Sequence, residues 1–387
     1  MPLGRRAFLG RVAVLGGAGL LGPGLLAACG SDDDTAGGGD GGGTASGGGG
    51  GGGGDVLRFD NWPGYIDEET EALFAEESGI DFTYTEAFND NNEYFARVQS
   101  DLAAGRDIGA DIIAPTNWMA ARLIGLEYVQ ELPLDAVPNA SNLVAALQNP
   151  AWDPTGAFTL PWQSGMTGIA YNIAETGREL TSMEDLFDPA FSGRIGMLTE
   201  MRDTIGLLLL AEGIDPAEAS FDDATGAFDR LQAAKDDGTI RQFTGNDYMD
   251  DLASGNFVAC IGWSGDIGQL ALDNPDLRFA IPDEGGMQWS DVMAIPVAAP
   301  NTAAAAEWMN YVYDPENAAR ITAFVGYNSP VEGVRDILAD DPETASMAES
   351  PLLFPDDETL SRLHVFKTLE EEEEAAFDAR FSEIIGA

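Results

Sequence analysis

The chain has 387 residues, and 66 Asp+Glu against 19 Lys+Arg give it a formal net charge of −47, with one histidine and two cysteines. A nucleic-acid partner or an anionic membrane surface calls for a cationic footprint, so this balance argues against both. A single His364 cannot build a His-rich metal site and leaves little for Ser-His or Cys-His catalysis, so no metal, no cofactor and no enzymatic activity are expected.

The start reads as an export signal over 1–28. Arg5 and Arg6 precede Phe8-Leu9, and an uncharged Gly/Ala/Leu/Val stretch runs from Val12 to Ala28. The paired arginines resemble the twin-arginine type, with the general secretory route as the alternative. Leu26-Ala27-Ala28-Cys29 resembles a bacterial lipobox, so Cys29 is expected to be lipidated and to hold the protein on the outer face of the cytoplasmic membrane. The apolar run is short and glycine-rich for a membrane span. Of 47 glycines, 22 fall in residues 1–54, and 29–55 is expected to be the lipidated cysteine followed by a solvated tether of roughly 25 to 30 Å. Cys260 then has no partner, and its place in Phe257-Val258-Ala259-Cys260-Ile261 predicts a small buried strand residue. Three arginines and no acid precede Cys29, so the acidity belongs to the secreted part, where it is also what salt-adapted or high-GC organisms produce.

Val56 to Phe59 predicts a strand, Asp67 to Ser78 a helix stopped by Gly79, and Ile80, Phe82 and Tyr84 a second strand. Tyr94, Phe95, Val98 and Leu102 recur at helical spacing up to Gly105. Asp111 to Ala114 predicts a buried strand, followed by a helix capped by Thr116 or Asn117. This alternation predicts an α/β fold with parallel pairing. The part after the tether exceeds one comfortable core, so two lobes with a ligand cleft between them are expected.

Several loop-like segments are chemically distinctive: Asn61-Trp62-Pro63-Gly64-Tyr65, Pro115-Thr116-Asn117-Trp118, Pro161-Trp162-Gln163-Ser164-Gly165, Thr199-Glu200-Met201-Arg202-Asp203, Gly262-Trp263-Ser264-Gly265-Asp266 and Gln288-Trp289-Ser290-Asp291. For any one tryptophan, core packing is the alternative. Glu200 and Asp203 also suit the first turn of a helix, favoured by its dipole. Together, rings beside carboxylates suit a ligand with cationic ends and an apolar middle. Each ring offers ~0.5 to 2 kcal/mol of cation–π attraction, and the acids neutralise ammonium groups. A linear polyamine has that shape, whereas a sugar gains little from paired acids. Glu370 to Glu374 reads as a solvated helix face.

At these segments the chain resembles the polyamine-binding (spermidine/putrescine) proteins of bacterial ABC importers. The resemblance runs from about Val56 to the C-terminus. Asn61-Trp62, Tyr65-Ile66, Asp111 to Thr116, Gly262 to Asp266, Glu284-Gly285-Gly286, Trp289-Ser290-Asp291 with Ala294-Ile295-Pro296, and Gly326-Tyr327 with Pro330 carry it. It implies a two-lobed fold of the periplasmic binding protein type with more than one crossing between lobes. Lobe 1 is expected at 56–172 and 292–335, and lobe 2 at 173–291 and 336–387. It implies a ligand enclosed by Trp62, Tyr65, Trp118, Trp263, Trp289 and Tyr327, with Asp291, Asp266, Glu200 and Asp203 receiving amines and Thr116 supplying a hydroxyl. Pro63 and Gly64 depart from the hydroxyl residue or acid frequent in relatives, and the glutamine of spermidine-type members has no match near Phe366. The implied partners are a polyamine and the permease subunits of an ABC importer, with membrane contact through the lipid anchor alone, no nucleic acid and a monomeric state. The rivals are the same fold holding another amine, an opine or a ferric ligand, and an extracellular enzyme, for which no catalytic motif is present.

Overall fold

A computed structural model describes residues 56–148 and 150–386. The expected signal at 1–28, the lipidation site Cys29 and the tether lie outside the described residues.

The first strand, β1 (Val56–Asn61), buries Leu57, Phe59 and Asn61 by alternation. The helix Glu68–Ser78 follows, its first turn held by the Asp67 carboxylate, which accepts from the Thr70 amide at 2.8 Å, and its end turned by Gly79 at φ 72°. After β2 (Asp81–Glu86), the helix Asn91–Ala103 starts where the Asp90 carboxylate accepts from the amides of Asn92 and Glu93, and leads to β3 (Ile112–Ile113). These strands lie parallel in the order β2-β1-β3, with β1 in the middle, as the alternation of elements predicts.

Two long strands continue the sheet. β4 (Thr159–Asn172) is buried over nearly its whole length. Next come β5 (Ile195–Leu198), β6 (Ile240–Thr244), β7 (Ala259–Trp263), β8 (Leu277–Ala280), β9 (Gly286–Ala294) and β10 (Leu363–His364). The sheet path is β2-β1-β3-β9-β4-β7-β5-β6, with β8 paired to β4 and β10 to β9. β9 meets β3 at Ala294 and runs antiparallel to β4, from Thr159 opposite Ala294 to Thr167 opposite Met287. β4 then pairs with β7 from Thr167 to Tyr171. Beyond it, β7, β5 and β6 are parallel again. The fold is thus α/β and two-lobed: a β2-β1-β3 half and a β7-β5-β6 half, with β4 and β9 running through both.

Two sequence readings change. Pro161 to Gly165 is not a loop but part of β4, where a register shift between Pro161 and Gln163 bulges the strand at Trp162. The Trp162 ring is buried in the core, 5.7 Å from Phe59 and 6.3 Å from Trp308. A bulge, which places two residues opposite one, lets an apolar ring turn inward without shifting the rest of the strand. Gln288 to Asp291 likewise lies inside β9. Cys260 sits fully buried in β7, and burial pushes its thiol pKa up, which makes it an inert core residue.

Candidate functional site

The ends of the parallel strands in both halves face one cleft, and all eleven residues singled out in the sequence line it. β1 ends in the turn that carries Trp62 and Tyr65, where Gly64 takes φ 62° and donates its amide to Glu86 at 3.0 Å. The unusual glycine is therefore the residue this left-handed turn needs. β3 leads to Thr116, β5 to Glu200 and Asp203, β7 to Trp263 and Asp266, and β9 carries Trp289 and Asp291.

The rings form a belt. Trp62 and Trp263 have centroids 5.8 Å apart at 75°, Trp263 and Trp289 6.2 Å at 74°, Trp289 and Tyr327 5.5 Å at 58°, and Tyr327 and Tyr65 5.2 Å at 82°. Three of these contacts are edge-to-face and the Trp289–Tyr327 contact is tilted, so each ring is fixed by its neighbour. Two glycines admit the belt. A Cβ on Gly165 would stand 2.4 Å from the Trp289 ring, and one on Gly265 2.4 Å from the Tyr327 ring. The Trp62 indole donates to the Ala114 carbonyl at 2.9 Å, and the Trp289 indole donates to the Thr167 hydroxyl at 3.0 Å.

Each aspartate is held by neutral donors. Asp291 accepts from the Tyr65 hydroxyl at 2.9 Å and the Thr116 hydroxyl at 2.7 Å. Thr116 is the N-cap of the helix Asn117–Gly125, yet it makes no cap bond, because its hydroxyl is committed to Asp291 and to the Asn91 amide at 2.8 Å. Asp266 accepts from Tyr327 at 2.6 Å, Tyr248 at 2.9 Å and Asn246 at 3.0 Å. Asp203 accepts from the Trp263 indole at 2.9 Å. Glu200 and Asp203 begin the helix Met201–Ala211, as N-cap and first-turn residue, and line the cleft from there.

Among the described residues, none of Asp203, Asp266 and Asp291 reaches a Lys, Arg or His at ion-pair distance; the cleft's arginine, Arg202, pairs with Glu374 at 2.5 Å. Burial pushes all four acids up: Asp203 and Asp266 to about 6, Asp291 to about 7 and Glu200 to about 8. Hydrogen bonds from Trp263, Tyr327 and Thr116 oppose the rise at the three aspartates, while Asp90 and Asp203 add to it at Glu200. A mobile cation entering the cleft would relieve this cost.

Sequence reasoning missed Asn91, Asn246 and Tyr248, which orient the acids, and gave Arg202 no role. Asn91 lies in Asn89-Asp90-Asn91-Asn92, which reads as helix capping, and Tyr248 reads as core. Phe366 lines the cleft where the sequence offers no glutamine. The reading of Glu370 to Glu374 as a solvated face is corrected in part. Glu370, Glu371 and Glu372 are exposed, but Glu373 pairs with Lys367 at 3.0 Å, and Glu374 is half-buried between Arg122 at 3.0 Å and Arg202.

Rings and carboxylates from both halves of the molecule thus meet in one cleft, the layout of a small-molecule binding site. The sequence pattern of the bacterial extracellular solute-binding protein family matches residues 72–354, and the chain belongs to that family, which is not an enzyme family. It is 29% identical over 331 residues to the putrescine-binding periplasmic protein PotF of Escherichia coli, covering 80% of this chain and 86% of that one. It is 24% identical over 312 residues to the spermidine/putrescine-binding periplasmic protein 1 of Haemophilus influenzae, covering 80% and 83%. The crystal structure of the spermidine/putrescine ABC transporter substrate-binding protein PotD of Streptococcus pneumoniae shares the fold, with a TM-score of 0.70 at 24% identity over 85% of this chain and 98% of that one.

Proposed function

We propose that the protein captures a linear polyamine, putrescine or spermidine, in this cleft outside the cytoplasm and delivers it to the permease of an ABC importer. The observation that carries the reading is three buried aspartates, each held by neutral donors and none by a protein cation, around a belt of five rings. Such an arrangement is costly when empty and is completed by ammonium groups joined through methylenes. The proposed contacts are Trp62, Tyr65, Trp263, Trp289 and Tyr327 along the chain, Asp291, Asp266, Asp203 and Glu200 at the amines, and Thr116 and Trp118 at the wall. Names of the relatives support this ligand class.

The lobe division is proposed with its crossings inside β4 and β9 and ahead of Leu363, rather than at 172, 291 and 335. Supporting this, β4 leaves β9 for β7 at Thr167, and the segment after Val334 still packs beside helix Pro315–Val325, with Arg335 donating to Ala348 at 3.0 Å and Asn328 to Leu352 at 3.1 Å.

Calorimetric titration with putrescine, spermidine, cadaverine and several amino acids tests the ligand. A dissociation constant of about 1 μM or tighter, near −8.2 kcal/mol, is expected for one of the first two. Heat from an amino acid or another solute with none from any polyamine would refute the assignment. Lipid anchoring at Cys29 of a monomer is part of the same proposal. Cys29→Ser should abolish fatty-acid labelling and release the protein from membranes, and persistent labelling would remove the anchor from the account.

A further inference from the structure

Tyr65, Trp263, Asp266, Asp291 and Tyr327 are each less than one-tenth exposed, so a ligand reaches them only if the two halves of the molecule part. What holds the halves together then governs its release. Two cross-half contacts are uncharged donors on carboxylates: Thr199 donates to Asp90 at 2.6 Å and Asn91 to Glu200 at 3.3 Å. A separate cluster is built of full charges. The helix Asn117–Gly125, from the β3 side, supplies Trp118 and Arg122. From the β5 side, the helix Met201–Ala211 supplies Arg202, and the helix Glu371–Ile385 supplies Glu374 and Asp378. Arg122 reaches Glu374 at 3.0 Å and Asp378 at 2.9 Å, while Arg202 shares the same Glu374 oxygen at 2.5 Å.

Trp118, a wall of the cleft, is held by both guanidinium groups, Arg202 at 3.8 Å and Arg122 at 5.1 Å from its ring. The four charged side chains are 7 to 29% exposed, so salt screens them less than a surface pair and each is costly to leave alone. The Trp118 indole nitrogen, Arg202 Nε and Nη1, and Asp378 Oδ1 have no partner in the closed molecule. The cluster is therefore held by charge-assisted hydrogen bonds between Arg122, Arg202, Glu374 and Asp378 and by stacking on Trp118. That balance suits a contact that must form and break.

We propose that Glu374, with Arg122 and Arg202, is an interlobe clasp that positions Trp118 and sets the rate of ligand release. The proposal rests on the cleft being the ligand site. Stopped-flow tryptophan fluorescence with putrescine tests it. Glu374→Gln, which keeps shape and removes the shared charge, should raise the dissociation rate about tenfold or more while the association rate stays within about threefold. Arg122→Gln, the same cut from the other side, should act alike. Raising salt from about 0.05 to 0.5 M should speed release from the wild type more steeply than from either variant, a dependence that a merely structural glutamate would not show. Unchanged release and equal salt slopes in a folded variant would overturn the clasp. If the wild type gives no putrescine signal, the amine reading fails separately. The clasp is then decided by small-angle scattering of the ligand-free proteins, where Glu374→Gln must have the larger radius of gyration and equal radii overturn it.

Discussion

A buried carboxyl held only by neutral donors keeps its proton longer than one in water, and Asp291 is such a group, lifted by burial to about 7. An ammonium ligand needs the ionised form. Binding should therefore expel protons near neutral pH, and affinity should fall as pH drops from about 8 toward 5, because Glu200, Asp291, Asp203 and Asp266 protonate in turn. The stability sign agrees. Carboxyls raised above their unfolded values stabilise the empty protein at low pH, and this contribution is lost as pH rises through about 6 to 8. A polyamine should thus raise the melting temperature more at pH 8 than at pH 5. Calorimetry in buffers of different ionisation heat counts the protons released, and zero release with a pH-independent affinity would contradict these assignments.

At the scale of elements, β1 to β3 were readable because their cues are local: apolar alternation in the strands, helical spacing between them, and Gly79 and Gly105 as stops. β4 and β9 were not. A strand buried along both faces shows no alternation, and Pro161, Ser164 and Gly165 look like turn residues. Their composition has another cause, since Gly165 leaves room for the Trp289 ring and Ser164 meets Ser290 at 2.7 Å. Thr116 carries the same lesson. A cap residue that does not cap is a local rule broken in favour of a site, and only the 2.7 Å bond to Asp291 shows it. The resemblance located the cleft residues, whereas the clasp was invisible because Arg202 and Glu374 meet across 172 positions and Glu374 hides within a run of five glutamates.

For the whole molecule, the question is whether 66 acids attract a polycation collectively or a few of them bind it. Exposed charges farther away than a Debye length of ~8 Å at 0.15 M salt are largely screened. On the proposed function, the pocket acids would touch the ligand in a desolvated site and escape that screening. Titration of putrescine and spermidine into Asp291→Asn, beside a triple change of the exposed Glu370, Glu371 and Glu372 to Gln, separates the two cases. The single change should cost about 2 to 5 kcal/mol of binding at 0.15 M salt, because an ammonium is left buried without its charge partner. The triple change should cost well under about 1 kcal/mol, each exposed charge contributing little. A loss from the triple change that equals or exceeds the loss from Asp291→Asn would contradict the account, since bulk acidity and not the cleft would then hold the ligand.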